Sequence, residues 1–169
     1  MGSSIKEKED GELDRARLYR KIKCEGFDFL LPDGFGRTDP GESPFLTTGI
    51  KTQQTFCSPL RNVYINILSG TGTDAEKRDV IKELYLICMM QKKKLSFFEQ
   101  GGLFRNPLAD EGMTSYSFTD GDGERKTNFL ALLYREKKRY LLMLQCHTDR
   151  EEEWRKEFFH LINSLEEEQ

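Results

Sequence analysis

The sequence predicts an α+β fold in which two helical layers enclose a mostly antiparallel sheet, a three-layer α/β/α sandwich. Apolar residues recur at helical spacing over residues 74–93 and again over 148–165, which indicates two amphipathic helices. Between them, the runs at 129–134 and 140–144 are apolar on both faces, as in central strands that are covered above and below. Two such helices and a two-faced sheet bury each other's apolar surfaces.

The composition supports one folded unit. The chain has 169 residues, 37% of them hydrophobic and 11% aromatic, which is enough to build one core. Residues 1–12 are polar and charged and are predicted to form a flexible tail. We therefore expect a single α+β domain over residues 13–166.

The N-terminal part is predicted to contain a helix, a strand and a long connection. An extra N-terminal helix is expected from the near-helical spacing of Leu13, Arg17, Leu18 and Ile22. A strand at 27–31 follows and ends at the turn Pro32-Asp33-Gly34. The density of proline and glycine then predicts an irregular loop over 32–49.

The remaining elements follow from alternation and capping signals. Residues 47–56 are predicted to form an edge strand, and alternation over 62–69 predicts a stronger one. Each helix is preceded by a Thr-x-x-Glu capping box, at Thr73 and Glu76 and at Thr148 and Glu151. Antiparallel strands are expected between the helices, with a tight turn at 120–123, over residues 95–99, 113–119, 127–135 and 139–146.

This element order resembles the PsbP-like superfamily, which includes the Mog-type Ran-release factors and the bacterial secretion-associated Eag-type adaptors. The matching segments are Gly26–Phe35, Val63–Gly70, Tyr140–Leu144 with Phe158, and Ile162–Leu165. Phe35 stands where the family often has a tryptophan, and the predicted N-terminal helix is additional. The resemblance implies a module that acts by binding proteins.

Catalytic and metal sites are not indicated. His147 and His160 lack the i, i+4 or His-x-His spacing that directs two imidazoles at one metal, so no metal site and no cofactor are expected. Cys146 and His147 are adjacent on a strand and point in opposite directions, so a Cys-His dyad would need His160 instead. We expect no catalytic residues and no enzymatic activity.

The cysteines indicate a reducing compartment. They are widely spaced and form no CxxC pair, which favours buried free thiols in the cytoplasm; two disulfides in an exported protein are the alternative. They are Cys24, Cys57, Cys88 and Cys146.

Phosphate, calcium, nucleic-acid and membrane sites are also disfavoured. The loop 69–74 lacks the Lys-Ser/Thr ending of a phosphate-binding loop, and 120–124 has only part of a calcium-loop pattern. The net charge is −3 and the basic runs at 92–94 and 137–139 are short, so no nucleic-acid partner is expected. No apolar run reaches the roughly 18 residues of a membrane-spanning helix, so no membrane insertion is expected.

The segment 97–108 is the candidate interaction site. Bulky apolar residues lie there on a stretch rich in glycine, and exposed apolar patches mark interfaces. Phe97 and Phe98 are assigned to the core, and Phe104 and Leu108 are the candidate partner-binding residues.

Two functional hypotheses follow. The first is a non-enzymatic protein-binding module, with a further role as an adaptor or chaperone in bacterial protein secretion that the resemblance implies. The alternative is a small-ligand-binding protein or enzyme that uses the 32–49 loop, with Asp33 and Asp39, as a lid. A homodimer through the edge strand at 47–56 is a third hypothesis.

Overall fold

The structure is a computed structural model that describes residues 19–24, 26–38, 52–71, 79–106, 110–135 and 138–167. Two helices lie in these ranges, α1 (Val80–Lys92) and α2 (Glu151–Ser164). The strands are β1 (Tyr19–Cys24), β2 (Phe27–Pro32), β3 (Gly36–Thr38), β4 (Thr52–Ser58), β5 (Val63–Thr71), β6 (Ser96–Gln100), β7 (Phe104–Asn106), β8 (Glu111–Thr119), β9 (Arg125–Arg135), β10 (Lys138–His147) and β11 (Glu166–Glu167).

The main sheet is antiparallel throughout the described residues. Its strand order is β3-β4-β5-β10-β9-β8-β6, and β7 pairs with β8 beside β6. The apolar strands β9 and β10 lie at its centre and pair from Lys126 with His147 to Arg135 with Lys138. A second, smaller sheet has the order β1-β2-β11. The antiparallel strands that the sequence predicts between the two helices are confirmed.

The main sheet has a separate core on each face. α1 covers one face, where Leu84 and Cys88 pack with Leu130 and Leu132 of β9. On the other face lie α2 and the small sheet, and the largest buried side chains of the core on that face include Phe29, Phe56, Phe129, Tyr140 and Phe158. Both faces of β9 and β10 are therefore buried, and the predicted three-layer α+β fold is confirmed.

The predicted N-terminal helix is wrong for residues 19–22, because they belong to strand β1. Ile22 and Cys24 point into the core in a period-two pattern, and each residue of β1 pairs with one of β2. Lys21 on the outer face pairs with Asp28, with 3.2 Å between Nζ and Oδ2. Leu13, Arg17 and Leu18 lie outside the described residues, as does the predicted tail at 1–12.

The two predicted capping boxes do not start the helices. α1 begins after Asp79, whose backbone is extended (φ −96°, ψ 96°) and whose Oδ1 accepts the Lys82 N–H at 3.1 Å. A continuous helix over 74–93 is therefore wrong, and Thr73 and Glu76 lie outside the described residues.

At α2, the two residues of the second predicted capping box form hydrogen bonds to the main sheet. A short 3-10 turn, Thr148–Arg150, precedes the helix, and no side chain caps its first turn. The hydroxyl of Thr127 on β9 lies 2.9 Å from that of Thr148 and donates to Glu151 Oε2 at 3.1 Å. Both predicted box residues thus bond to β9 instead of to the helix backbone.

The predicted edge strand at 47–56 is an inner strand at Thr55 and Phe56. β3, which lies within the predicted irregular loop at 32–49, pairs with β4 from Thr55 to Cys57 and forms the sheet edge. Arg37 of β3 joins the two sheets, because its guanidinium donates to Gln54 Oε1 at 2.8 Å and to the Lys23 carbonyl at 2.7 Å. An edge-strand dimer through Thr55–Phe56 is thereby disfavoured.

Candidate functional site

Phe104 lies on the short strand β7 at the sheet edge opposite β3. β7 pairs with the start of β8, with Phe104 opposite Met113. All three residues of β7 are exposed, and Phe104 keeps 62% of its surface in contact with solvent. A large aromatic ring is therefore exposed at the sheet edge. The partner-binding role of Phe104 stays a prediction, and Leu108 lies outside the described residues.

Gly101 lets the chain come close to β8 just before Phe104. The Gly101 N–H donates to the Ser115 carbonyl at 2.7 Å, and a Cβ on Gly101 would lie 2.3 Å from Ser115 Oγ and 2.9 Å from Ser115 O. Thr114 holds the next residue, since its hydroxyl donates to the Gly102 carbonyl at 3.1 Å. Only glycine permits this close approach at position 101.

Helix α2 forms the opposite wall. Phe159 is 45% exposed, and the Arg155 guanidinium lies over the Phe129 ring, 5.7 Å from its centroid. Arg155 also donates to Glu152, one turn earlier on the helix. Between this wall and β7 is a cavity of about 310 Å³, which we call the Phe104 groove; it is lined by Gly101, Gly102, Phe104, Met113, Thr114, Ser115, Phe129, Arg155 and Phe159.

Phe97 was assigned to the core, and the structure shows that this assignment is wrong. The register of β6 shifts between Ser96 and Glu99, and Phe97 adopts φ +52° with 79% of its surface exposed. Arg125 holds this bulge by donating to the Phe97 carbonyl at 2.5 Å. Phe98 is half-buried and stacks on Tyr116, with ring centroids 5.0 Å apart. The bulge therefore turns one of two adjacent rings outward.

The groove contains Arg155 and Phe159, which are not among the predicted site residues. Phe159 follows the core residue Phe158 on α2, and a single step along a helix rotates a side chain by about 100°. Arg155 and Phe159 are four residues apart, so they lie on the same side of α2. This spacing is the feature of the sequence from which their proximity could have been predicted.

The two histidines make structural contacts. His147 Nε2 lies 2.9 Å from Asn62 Nδ2, and its Nδ1 lies 3.7 Å from Glu124 Oε2. The His160 ring stacks on Tyr19 with centroids 4.3 Å apart. Among the described residues, no group of three or more histidine, cysteine, aspartate or glutamate side chains is arranged to hold a metal ion.

The thiols are free, and most are buried. Cys24, Cys88 and Cys146 are buried and Cys57 is half-buried. Burial raises the pKa of Cys146 to about 12, with a smaller contribution from the charges of Glu151, Asp149 and Glu153. Burial also raises the pKa of Cys24 and of Cys88. Because the thiolate is the nucleophile, Cys146 is unsuited to covalent catalysis.

Thiol reactivity should follow this burial. In the native protein at pH 8, we expect Cys57 to react first with a chromogenic disulfide reagent, and the other three at least about tenfold more slowly, because they must wait for local opening. All four should react together in denaturant, and Cys57→Ser should abolish the fast phase. A fast phase that survives Cys57→Ser would contradict the burial of the others.

The hairpin turn at 120–123 and the basic run at 92–94 have ordinary roles, whereas residues 72–74 of the loop at 69–74 and Lys137 of the second basic run lie outside the described residues. Asp120 Oδ1 accepts the N–H groups of Asp122 and Glu124, which closes the predicted hairpin turn, and these bonds lower the pKa of Asp120. The basic run at 92–94 is exposed at the end of α1. No helix in the described ranges has the length and hydropathy needed to cross a bilayer.

Comparisons with known proteins identify the fold. No protein-family model and no curated protein matches the sequence. The solved structures that match include PsbP (CyanoP) from Synechocystis sp. PCC 6803, at 14% identity and a TM-score of 0.67, over 89% of this chain and 92% of that one. The Ran-binding protein Mog1p of Saccharomyces cerevisiae matches at 9% identity and a TM-score of 0.59, over 88% and 94%.

A third similar structure is LpqN of Mycobacterium tuberculosis, which is involved in cell envelope biogenesis. It matches at 12% identity and a TM-score of 0.52, over 87% of this chain and 88% of that one. These matches span nearly the whole length of each protein, and at such low identity they report architecture. The chain has the PsbP-like fold.

Proposed function

We propose that this protein is a non-enzymatic protein-binding module that takes an apolar side chain of its partner into the Phe104 groove. The observation that carries the proposal is the exposure of Phe104 and Phe159 on opposite sides of one cavity. Exposed aromatic rings around a cavity are typical of the anchor sites that dominate binding energy at protein interfaces.

The chemistry of the groove suits a peptide segment. Its walls offer the exposed rings of Phe104 and Phe159 to an apolar side chain, and the buried Met113 and Phe129 also line it. Arg155 donates to Glu152, and further N–H groups of its guanidinium can donate to a backbone carbonyl of the bound segment. A volume of about 310 Å³ is at the small end of the range of about 300–1,000 Å³ for ligand sites, which suits one large side chain.

The finer proposal is an adaptor or chaperone of bacterial protein secretion that shields an apolar segment of its client. It is supported by the resemblance of the sequence to the PsbP-like superfamily and by the shared fold with the Ran-binding protein Mog1p. We place this activity in the cytoplasm, because a reducing compartment keeps the four thiols free.

The test is a selection of random phage-displayed peptides against the wild-type protein, followed by titration of the selected synthetic peptides. We expect them to share an aromatic or large aliphatic residue. We further expect Phe104→Asp to weaken their binding at least about tenfold, because it places a charge against the apolar wall. Phe159→Asp should do the same from the α2 side.

Leu60→Asp is the matched control. Leu60 is fully exposed in the turn between β4 and β5, far along the sheet from β7, so peptide affinity should be unchanged. Circular dichroism should show that all three variants are folded, because each site is at least 45% exposed. Selected peptides that bind Phe104→Asp and Phe159→Asp as tightly as wild type would exclude the groove as the binding site.

A further inference from the structure

We propose that α1 is a dimerisation helix, whose outer face packs antiparallel against the same face of a second copy of this chain. This inference is independent of the Phe104 groove. α1 packs on the sheet through Val80, Leu84 and Cys88, which are buried. Its opposite side faces solvent.

The outer face of α1 is apolar in its middle. Leu86 is 52% exposed and Met90 is 50% exposed, one helical turn apart. Tyr85, at 48% exposure, flanks them. Helix faces that look towards solvent are usually charged or polar, and none of the residues that the structure describes covers this apolar centre.

Both ends of this face are charged, with opposite signs. Asp79, Leu86 and Lys93 are spaced by seven residues, which is nearly two helical turns, so they lie along one stripe. Asp79 and Lys93 are both exposed. Lys82 also lies on the stripe, between Asp79 and Leu86.

An antiparallel two-fold pair makes this stripe complementary to itself. If the axis passes at Leu86, each Leu86 meets its symmetry mate, and Lys93 of each copy comes opposite Asp79 of the other. Only one carboxylate oxygen of Asp79 caps α1, so the other can accept from the lysine. A parallel arrangement would oppose like charges, as well as aligning the helix dipoles.

The size of the face sets the strength of the dimer. One helix of 13 residues buries less than the about 800 Å² per partner of a standard stable interface, so we expect reversible association at high micromolar concentration. The Phe104 groove is lined by Met113 and Phe129, which belong to the core on the α2 side of the sheet. Dimerisation through α1 therefore leaves both grooves open.

The test is sedimentation equilibrium of the full chain over about 5 µM to 1 mM. We expect a monomer–dimer equilibrium in the wild type. Leu86→Glu should raise the dissociation constant at least about tenfold, since symmetry introduces two facing carboxylates. Met90→Glu is a second variant with the same expected direction, and Leu60→Glu, at an exposed site away from α1, should leave the equilibrium unchanged.

A charge series tests the antiparallel register. Lys93→Glu should weaken the dimer by placing two carboxylates together, and adding Asp79→Asn should restore part of the loss, because asparagine keeps the helix cap without the charge. A protein that is monomeric throughout the concentration range would overturn the proposal, and the outer face of α1 would then have to bind a different partner. A dimer that Leu86→Glu and Met90→Glu leave intact would overturn it too.

Discussion

Phe158→Ala is expected to lower the free energy of unfolding by about 3–5 kcal/mol, the largest loss from any single truncation proposed for this chain. Phe158 is fully buried on α2, and its ring lies 5.8 Å from that of Phe129. It fills the layer between α2 and the centre of the main sheet, where the surrounding strands cannot collapse onto a cavity. The loss should appear as a lower midpoint in guanidinium unfolding, with little change in slope.

Phe159→Ala is the matched control, because it removes the same ring from the adjacent position. Phe159 is 45% exposed, so we expect its truncation to cost less than about 1 kcal/mol. For a chain of this size the midpoint temperature falls by about 2–4 °C per kcal/mol, so thermal unfolding separates the two variants clearly. Equal destabilisation would show that α2 is rotated relative to the arrangement described above.

The central strands and α2 could be predicted from the sequence because their signals are local. The apolar runs of β9 and β10 are too short for helices and are separated by only a few charged residues. The stripe of Trp154, Phe158, Leu161 and Ile162 fits only a helix, and all four are buried. These elements carry enough apolar surface to determine their own conformation.

The N-terminal segment could not be predicted in this way. Tyr19–Cys24 has few apolar residues, and their spacing is compatible with either period. What selects the strand is its pairing with β2, which lies beyond the turn at Gly26 (φ +86°). Such pairing is tertiary information, and it overrides weak local propensity.

The exposure of Phe104 could be predicted from the sequence, whereas the position of the other groove residues could not. The glycines before Phe104 signalled that this ring would not be fully buried, and its exposure agrees. The role of Phe159 depends on where α2 lies across the sheet, which sequence periodicity does not give. The exposure of Phe97 depends on a backbone bulge, which apolar patterning also does not encode.

Gly112→Ala is expected to cost about 1–3 kcal/mol, although it adds only one methyl group. Gly112 is buried on β8 beneath α1, and a Cβ there would lie 2.6 Å from Val80 Cγ1 and 3.0 Å from Leu84 Cδ1. Val80 is β-branched and lies in the first turn of α1, so it has little freedom to move aside. Denaturant unfolding measures the cost, and Gly121→Ala, with open space around its Cβ, should be close to neutral.

The physical cause is a steric contact between two named residues, so a double-mutant cycle should reveal it. Val80→Ala alone should cost about 2 kcal/mol, because it removes buried methyl groups. In the double variant, the methyl group added by Gly112→Ala occupies the space that Val80→Ala vacates. We therefore expect the double variant to be at least about 1 kcal/mol more stable than the sum of the two single losses predicts. Strict additivity would mean that α1 is seated elsewhere on the sheet, and that the outer face assigned to dimerisation is oriented differently.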